Sequence, residues 1–394
     1  MTEATVFIAL GLLFLLGLVA DMVGSKTRLP RVTLLLILGV MTGRPGFNLI
    51  PDPAIEGFVW LSTLALSMVA FLMGGSLERS RLKAYGRDIM AVSLAVVIAS
   101  MVIVSGLLIL FGTPPELAIV LGALATATDP AATRESISPA DRKTRFAGKI
   151  EGIVAIDDAW GLIVFGFAIV IAQSLSGPTD WEILFHALRE IGGSVLLGVV
   201  IGFPAAYLTG RVTPGEPLRT EALGVVFLST GMALYFEVSF LLTAMTVGAV
   251  VTNMARHHHN SFHEIEGFRW PFMVLFFLLA GASLDVTAFL NLGALGVAYV
   301  VLRTLSRFVG GWVGGVVAGS PVVERRWFGT ALLSQAGVAV GMALVAAQSF
   351  PEHANTILTL TIGATVVFEV IGPIGVAVAM RRVVAASKSG DADL

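Results

Sequence analysis

Long apolar runs separated by short polar segments dominate the pattern of this 394-residue chain. Runs of about 17–25 residues are long enough to cross a bilayer as a helix, and counting them predicts thirteen spans. These spans lie near residues 4–22, 32–48, 54–75, 88–111, 116–134, 151–173, 183–210, 220–236, 239–255, 269–284, 289–318, 327–349 and 354–380. The predicted fold class is therefore an all-α polytopic membrane protein.

Composition and charge agree with this pattern. Hydrophobic residues make up 56% of the chain and charged residues 13%, far from the average of soluble globular proteins. Most of the 25 Lys and Arg residues fall in loops after odd-numbered spans, so the positive-inside rule predicts a cytoplasmic C-terminus and an N-terminus outside. A net charge of −2 favours neither nucleic acid nor an anionic surface as a partner. The absence of cysteine excludes disulfides and thiolate metal sites.

The order of the spans predicts an internal repeat. Six spans, one linking span and six more give two halves offset by seven helices, and an odd offset inverts the second half. The segment IDDAWG in span six resembles FEVIGP in span thirteen, which places Asp158 opposite Glu369 and Gly161 opposite Gly372. The tail after Val384 is rich in small and polar residues and is predicted to be disordered.

Span six carries two adjacent acids, Asp157 and Asp158, in an otherwise apolar run. One carboxylate at the centre of a membrane helix costs roughly 2.5–3.5 kcal/mol, so such residues indicate function by default. Adjacent helical residues point about 100° apart, which predicts different roles for the two. One would face a water-filled site and bind a cation or a proton, and the other would meet a basic partner. A structural, hydrogen-bonded pair of acids is the alternative.

Two spans carry polar residues that indicate broken helices. In span five, Thr126, Thr128 and Asp129 precede Pro130, which lacks a backbone donor and disfavours helical geometry at the residue before it. Span twelve, its counterpart in the repeat, has small and polar residues at a similar depth, namely Ser334, Gln335 and Gly337. Asp129 would compensate the positive helix ends exposed where broken helices cross. The alternative is a proline kink in an ordinary helix.

Span eleven contains two arginines, Arg303 and Arg307, spaced i and i+4 on one face. An always-charged guanidinium within a membrane needs an acid, so one of them is the candidate partner of Asp157. The other could pair with Glu369 of span thirteen, which could instead neutralise the break in span twelve; a structural salt bridge is the favoured role of this acid. Snorkelling of one arginine toward a headgroup is the competing interpretation.

Two further clusters are assigned structural roles. A basic and histidine-rich segment is predicted to lie in a solvated cytoplasmic loop, with pH sensing as the alternative. It comprises Arg256, His257, His258, His259 and His263. Four glycines of span eleven indicate a smooth helix-packing face, namely Gly310, Gly311, Gly314 and Gly315.

Four motifs in order resemble one family. They are TDPAA at 128–132, the pair Asp157-Asp158, the basic-x-x-Gly element at 307–310, and FEVIGP at 368–373. Together they resemble the bacterial cation:proton antiporters, in the branch that includes NapA-like Na+/H+ exchangers and Kef-like transporters. The resemblance covers essentially the whole chain and implies the NhaA/NapA-like fold of two inverted six-helix repeats with crossed broken helices. It also implies a homodimer in the bacterial cytoplasmic (inner) membrane.

The resemblance implies a division into domains and into roles. A dimerisation panel would comprise 1–87 and 216–287, and a core transport domain 88–174 and 288–384, with a linker helix at 175–215 and a disordered tail at 385–394. Asp158 corresponds to the carboxylate that binds the cation and the proton, and Asp157 to the partner of the basic residue. Asp129 corresponds to the acid at the crossing of the broken helices. Thr128, Asp129 and exposed carbonyls would assist Na+ binding at Asp158. The family often has lysine where Arg307 stands, so proton release by that residue is not expected.

The predicted function is exchange of Na+, or of Li+ or K+, for H+ by alternating access, with the cation and the proton competing for Asp158. The predicted cellular role is pH homeostasis. No enzymatic activity and no cofactor are expected. A Na+-coupled organic-anion symporter of similar architecture is the alternative, and an ion channel would be distinguished by cation current without proton counterflow. An intramembrane aspartyl protease is disfavoured. Such a protease needs two catalytic acids on separate helices, whereas Asp157 and Asp158 are neighbours, and no GxGD motif occurs.

Overall fold

The computed structural model describes residues 3–27, 31–43, 46–50, 58–75, 77–138, 141–176, 181–209, 216–255, 258–282, 293–335 and 337–389. Within these ranges the chain is helical and contains no strand. Five helical stretches are each long and apolar enough to cross a membrane, namely Gly86–Leu110, Arg145–Leu175, Arg189–Leu208, Gly293–Ala318 and Pro351–Ser387. The other apolar stretches within helices, such as Ile8–Gly24 and Phe240–Met254, count only 10–17 residues whose side chains the structure describes, so a total of thirteen spans stays a prediction.

The helices are numbered in chain order. The first half of the described chain contains α1 (Glu3–Thr27), α2 (Arg31–Thr42), α3 (Phe58–Gly75), α4 (Arg79–Ser100), α5 (Gly106–Leu110), α6 (Pro115–Leu124), α7 (Pro130–Ser136) and α8 (Arg145–Ser176). A π-helical turn, Met101–Ser105, joins α4 to α5. The second half contains α9 (Trp181–Thr209), α10 (Glu216–Tyr235), α11 (Phe240–Met254), α12 (His258–Ala282), α13 (Gly293–Ala318), α14 (Val322–Ala331), α15 (Gly337–Ser349) and α16 (Ala354–Ser389).

The chain divides into two compact units. The first comprises Met1–Gly75 and Leu188–Ala288, and therefore contains α1 to α3, most of α9, and α10 to α12. Glycines bring its helices together: a Cβ added to Gly281 of α12 would lie 3.1 Å from the Cα of Gly39 of α2. Side chains of α3, α10 and α11, such as Phe71, form an apolar core in this unit.

The second unit comprises Ser76–Ala187 and Phe289–Leu394, and contains α4 to α8 and α13 to α16. Its apolar core joins Ile89 of α4, Ile150 of α8 and Phe328 of α14 with residues of α16. This core holds α8, which carries the acid pair, against α4, α14 and α16.

The glycine face of α13 packs as the sequence predicts. A Cβ at Gly310 would lie 2.6 Å from the Cα of Val96 in α4, and one at Gly311 would lie 2.5 Å from the backbone nitrogen of Gly329 in α14. Both distances are too short for a side chain, so α13 contacts its neighbours backbone to backbone. This close packing places the arginines of α13 deep in the second unit.

Several predicted boundaries are wrong. His258, His259 and His263 belong to the first turns of α12 rather than to a loop, while 256–257 lie outside the described residues. The tail predicted to be disordered is helical to Ser389, and 390–394 lie outside the described residues. Basic segments assigned to loops also begin α4 and α8. Lys, Arg and Glu are good helix formers, so helices continue past the apolar run that signals the span.

Candidate functional site

Two helices of the second unit are interrupted at the places where polar residues predict it. Helix α6 ends at Leu124 and α7 begins at Pro130, while α14 ends at Ala331 and α15 begins at Gly337. The end of a helix leaves backbone carbonyls without intrahelical partners, and these segments are buried. The side-chain amide of Gln335 donates to the carbonyl of Leu124 at 3.3 Å, so the two breaks adjoin.

Arg307 joins the first break to the acid pair. Its Nη1 donates to Oδ2 of Asp157 at 2.8 Å, and both side chains are completely buried. Its Nη2 donates to three backbone carbonyls of the break, those of Ala125 at 2.8 Å, Thr126 at 2.6 Å and Ala127 at 2.9 Å. The guanidinium therefore neutralises a carboxylate and also satisfies the negative end of α6.

Arg303, one turn earlier on α13, joins the two breaks. Its Nη1 donates to the carbonyl of Leu333 at 2.9 Å, and its Nη2 donates to Ala127 O at 2.8 Å and Ser334 O at 3.4 Å. The ring of Phe368 lies 4.0 Å from its Cζ, a cation–π contact. These hydrogen bonds of Arg303 all end on backbone oxygens. Both arginines are 0% exposed, which excludes snorkelling.

The first acid of the pair, Asp157, has an asymmetric environment. Its Oδ2 accepts from Arg307, whereas its Oδ1 has no hydrogen-bond partner among the residues that the structure describes. Thr128 is buried, and its hydroxyl donates to the carbonyl of Val154, one turn before Asp157, at 3.4 Å. Asp158 lies on α8, but its side chain is outside the described residues.

The remaining predicted site residues lie at the breaks. Asp129 is 7% exposed and immediately precedes α7, where its carbonyl accepts from the amide of Thr133 at 3.1 Å. Thr126 is buried, and its hydroxyl donates to Ala123 O at 2.6 Å. Glu369 is buried on α16, next to the ring that covers Arg303. Compensation of the positive helix ends by Asp129 stays a prediction.

Close approaches to the breaks also come from two glycines. A Cβ at Gly161 of α8 would lie 3.0 Å from the hydroxyl of Thr126, and one at Gly372 of α16 would lie 2.5 Å from the Cα of Ser334. Each glycine therefore allows a long helix to pass against one break.

Sequence reasoning missed the main acceptors of the two arginines, which are backbone carbonyls, and it missed a second buried ion cluster formed by Asp88, Lys149 and Glu324. By its position after span five, Lys149 is predicted to belong to a cytoplasmic loop. A signal was present, because Glu324 is an acid within a segment otherwise rich in arginine.

Adjoining helix breaks, buried arginines and acids within apolar helices are typical of multi-pass membrane transporters. The model of the family described as "Sodium/hydrogen exchanger, transmembrane" matches residues 10–382, and the chain belongs to this family. It is therefore a monovalent cation:proton antiporter.

Two similar proteins agree with this assignment. The chain is 19% identical over 343 residues to the ammonium/H(+) antiporter subunit AmhT of Alkalihalophilus pseudofirmus, covering 86% of this chain and 83% of AmhT. Its fold is similar to that of the sodium proton antiporter MjNhaP1 from Methanocaldococcus jannaschii, with a TM-score of 0.77, 18% identity, and coverage of 96% of this chain and 99% of MjNhaP1. The organic-anion symporter finds no support in these matches.

Proposed function

We propose that the chain exchanges Na+ for H+ across a bacterial cytoplasmic membrane, with both ions competing for Asp158. The observation that carries this assignment is the buried ion pair between Arg307 and Asp157 at 2.8 Å. Since an arginine keeps its charge, Asp157 is committed to neutralising it. The second acid of the pair is then the one left for the transported ion.

The cation would be held by oxygen ligands near the first break. Thr128 and Asp129 are buried there, and carboxylate, hydroxyl and carbonyl oxygens suit hard monovalent cations. Proton binding neutralises Asp158, whereas Na+ binding requires its ionised form, so one site exchanges the two ions. We propose that no bound cofactor takes part.

We further propose thirteen membrane spans in two inverted repeats with crossed broken helices, with the N-terminus outside. The two glycine contacts support the repeat, because Gly161 and Gly372 occupy matching positions in it and each packs against one break. The second unit would be the core transport domain, which moves during alternating access. The first unit would be the dimerisation panel of a homodimer, with α9 as the linker.

The test is proton movement in proteoliposomes, read by a pH-sensitive dye after adding Na+, Li+, K+, NH4+ or choline. Ammonium is included because of the similarity to AmhT. We expect dequenching with Na+ but not choline, and none in D158N. The matched control is E352Q, which removes an exposed acid and should behave as wild type. Near-normal exchange by folded D158N would refute the role of Asp158.

A further inference from the structure

A buried ion cluster, here called the Lys149 triad, lies in the second unit away from the helix breaks. The ammonium of Lys149 donates to Oδ1 of Asp88 at 3.0 Å and to Oε2 of Glu324 at 2.6 Å. The side chains of Lys149, Asp88 and Glu324 are 5%, 21% and 11% exposed. One lysine thus binds two carboxylates, of which Glu324 is buried and Asp88 partly exposed.

The triad ties together three helices. Asp88 is on α4, Lys149 is in the second turn of α8, and Glu324 is in the first turn of α14. The hydroxyl of Ser320, in the segment before α14, is also hydrogen-bonded to Oδ1 of Asp88. Arg325 then fixes that segment, since its Nε donates to the carbonyl of Ser320 at 2.5 Å.

The apolar core already holds these helices together beside the triad. Ile89, Ile150 and Phe328 belong to it, and the rings of Phe146 and Phe328 lie 5.5 Å apart. Burying ions costs desolvation that well-packed apolar residues would avoid, so a buried ionic cluster is weak evidence for a role in stability alone. What directional ionic bonds add to an apolar contact is a defined rotation and height of each helix.

The position of α8 matters for the ion site. Lys149 precedes Asp157 by eight residues, about 12 Å along the helix. Side chains extend to about 5–6 Å from the helix axis, so a rotation of about 20° would move a carboxylate by about 2 Å. A shift of that size would break the 2.8 Å hydrogen bond between Asp157 and Arg307. Helix α14, held at its first turn by Glu324, leads directly to the second break.

We propose that Lys149 is a positioning residue for ion exchange: through Asp88 and Glu324 it fixes the rotation of α8, and thereby the acid pair, against α4 and α14. The proposal rests on the proposed function and adds a residue to its machinery. Misplacement of reacting groups by about 1 Å can cost on the order of 100-fold in rate, and oxygens that coordinate a cation must keep their distances in the same way. Losing the triad should therefore weaken cation binding at the site.

The test measures the apparent KM for Na+ and the maximal exchange rate in proteoliposomes for wild type, K149M, K149R and the neutral triple variant D88N/K149M/E324Q. The triple variant leaves no unpaired charge, so it keeps the test valid where K149M fails to fold. The matched control is K143M, which removes an exposed lysine just before α8. If thermal unfolding shows that one of these variants is not folded, E324Q is measured in its place, because this change preserves the side-chain volume.

We expect KM to rise at least about tenfold in K149M and in the triple variant, with a maximal rate within about twofold of wild type. K149R should restore most of the affinity, because its guanidinium can still bridge both carboxylates. A folded triple variant with an unchanged KM would overturn the proposal, and so would a loss of maximal rate alone. If wild type exchanges Na+ and the variants keep its KM, only the positioning role is refuted. If wild type shows no exchange, the proposed function itself is refuted.

Discussion

The ion pair between Arg307 and Asp157 can be tested by removing its charges one at a time and then together. R307Q leaves Asp157 as a buried carboxylate without its cation, and D157N leaves the guanidinium without its anion. Both side chains are fully buried and joined at 2.8 Å. Breaking a buried pair from one side costs about 3–5 kcal/mol, because the remaining charge is left uncompensated.

The double variant R307Q/D157N removes both charges and should therefore cost less than the two single changes added together. Charges about 4 Å apart interact by about 4 kcal/mol at the effective dielectric constant of about 20 that describes protein sites. We therefore expect a coupling free energy of about 2–4 kcal/mol between the R307Q and D157N changes, arising from this charge–charge interaction. The double variant stays less stable than wild type, because the shorter amide side chain introduced by R307Q cannot satisfy the three carbonyls that Arg307 reaches.

The assay is thermal unfolding of the purified protein in detergent, followed by size-exclusion retention or tryptophan fluorescence. For a unit of about 150–250 residues, 1 kcal/mol shifts Tm by roughly 2–4 °C, so each single variant should lose on the order of 10 °C. E352Q is the control, since it removes an exposed charge. Additive losses in the double variant would show that the two residues do not stabilise each other, and would refute the ion-pair account.

Arg303, the glycine face of α13 and Asp158 each give a further prediction. R303K should lower Tm and exchange, because an ammonium lacks the planar fork that reaches both breaks and the stacking on Phe368; unchanged behaviour would contradict this role. G311V should destabilise the second unit because its side chain would overlap the backbone of α14, whereas G106A, where a Cβ meets nothing within 4 Å, should be neutral in thermal unfolding. In the pH range where the proton occupies Asp158, the KM for Na+ should rise about tenfold for each unit by which the pH is lowered. A KM that is constant between pH 6 and 9 would exclude competition.

The sequence predicts the first break well because its signal is local. Pro130 lacks a backbone donor, and the acid and hydroxyls before it are unusual in a membrane helix. The second break contains no proline, and its prediction depended on the repeat. Pairing of Asp157 with one arginine could also be predicted, but Arg303 and Arg307 share a helix face, so only the fold shows which one binds the acid.

Other features depend on contacts that no local pattern shows. The acceptors of the two arginines are mostly backbone carbonyls, which every residue type carries. Lys149 bonds to acids 61 and 175 residues away, so a count of basic residues near membrane ends could not separate it from a solvated loop lysine. The start of α12 at His258 was missed because polar helix ends resemble loops in composition.

The central claim is that Na+ and H+ compete for Asp158. The most direct measurement is binding of radioactive Na+ to the purified protein, with the protons released on binding counted in weakly buffered solution. Wild type should release about one proton per Na+ bound at a pH low enough that the proton occupies Asp158 before Na+ binds, and D158N should neither bind Na+ nor release protons. Na+ binding by folded D158N with the same proton release would contradict the account.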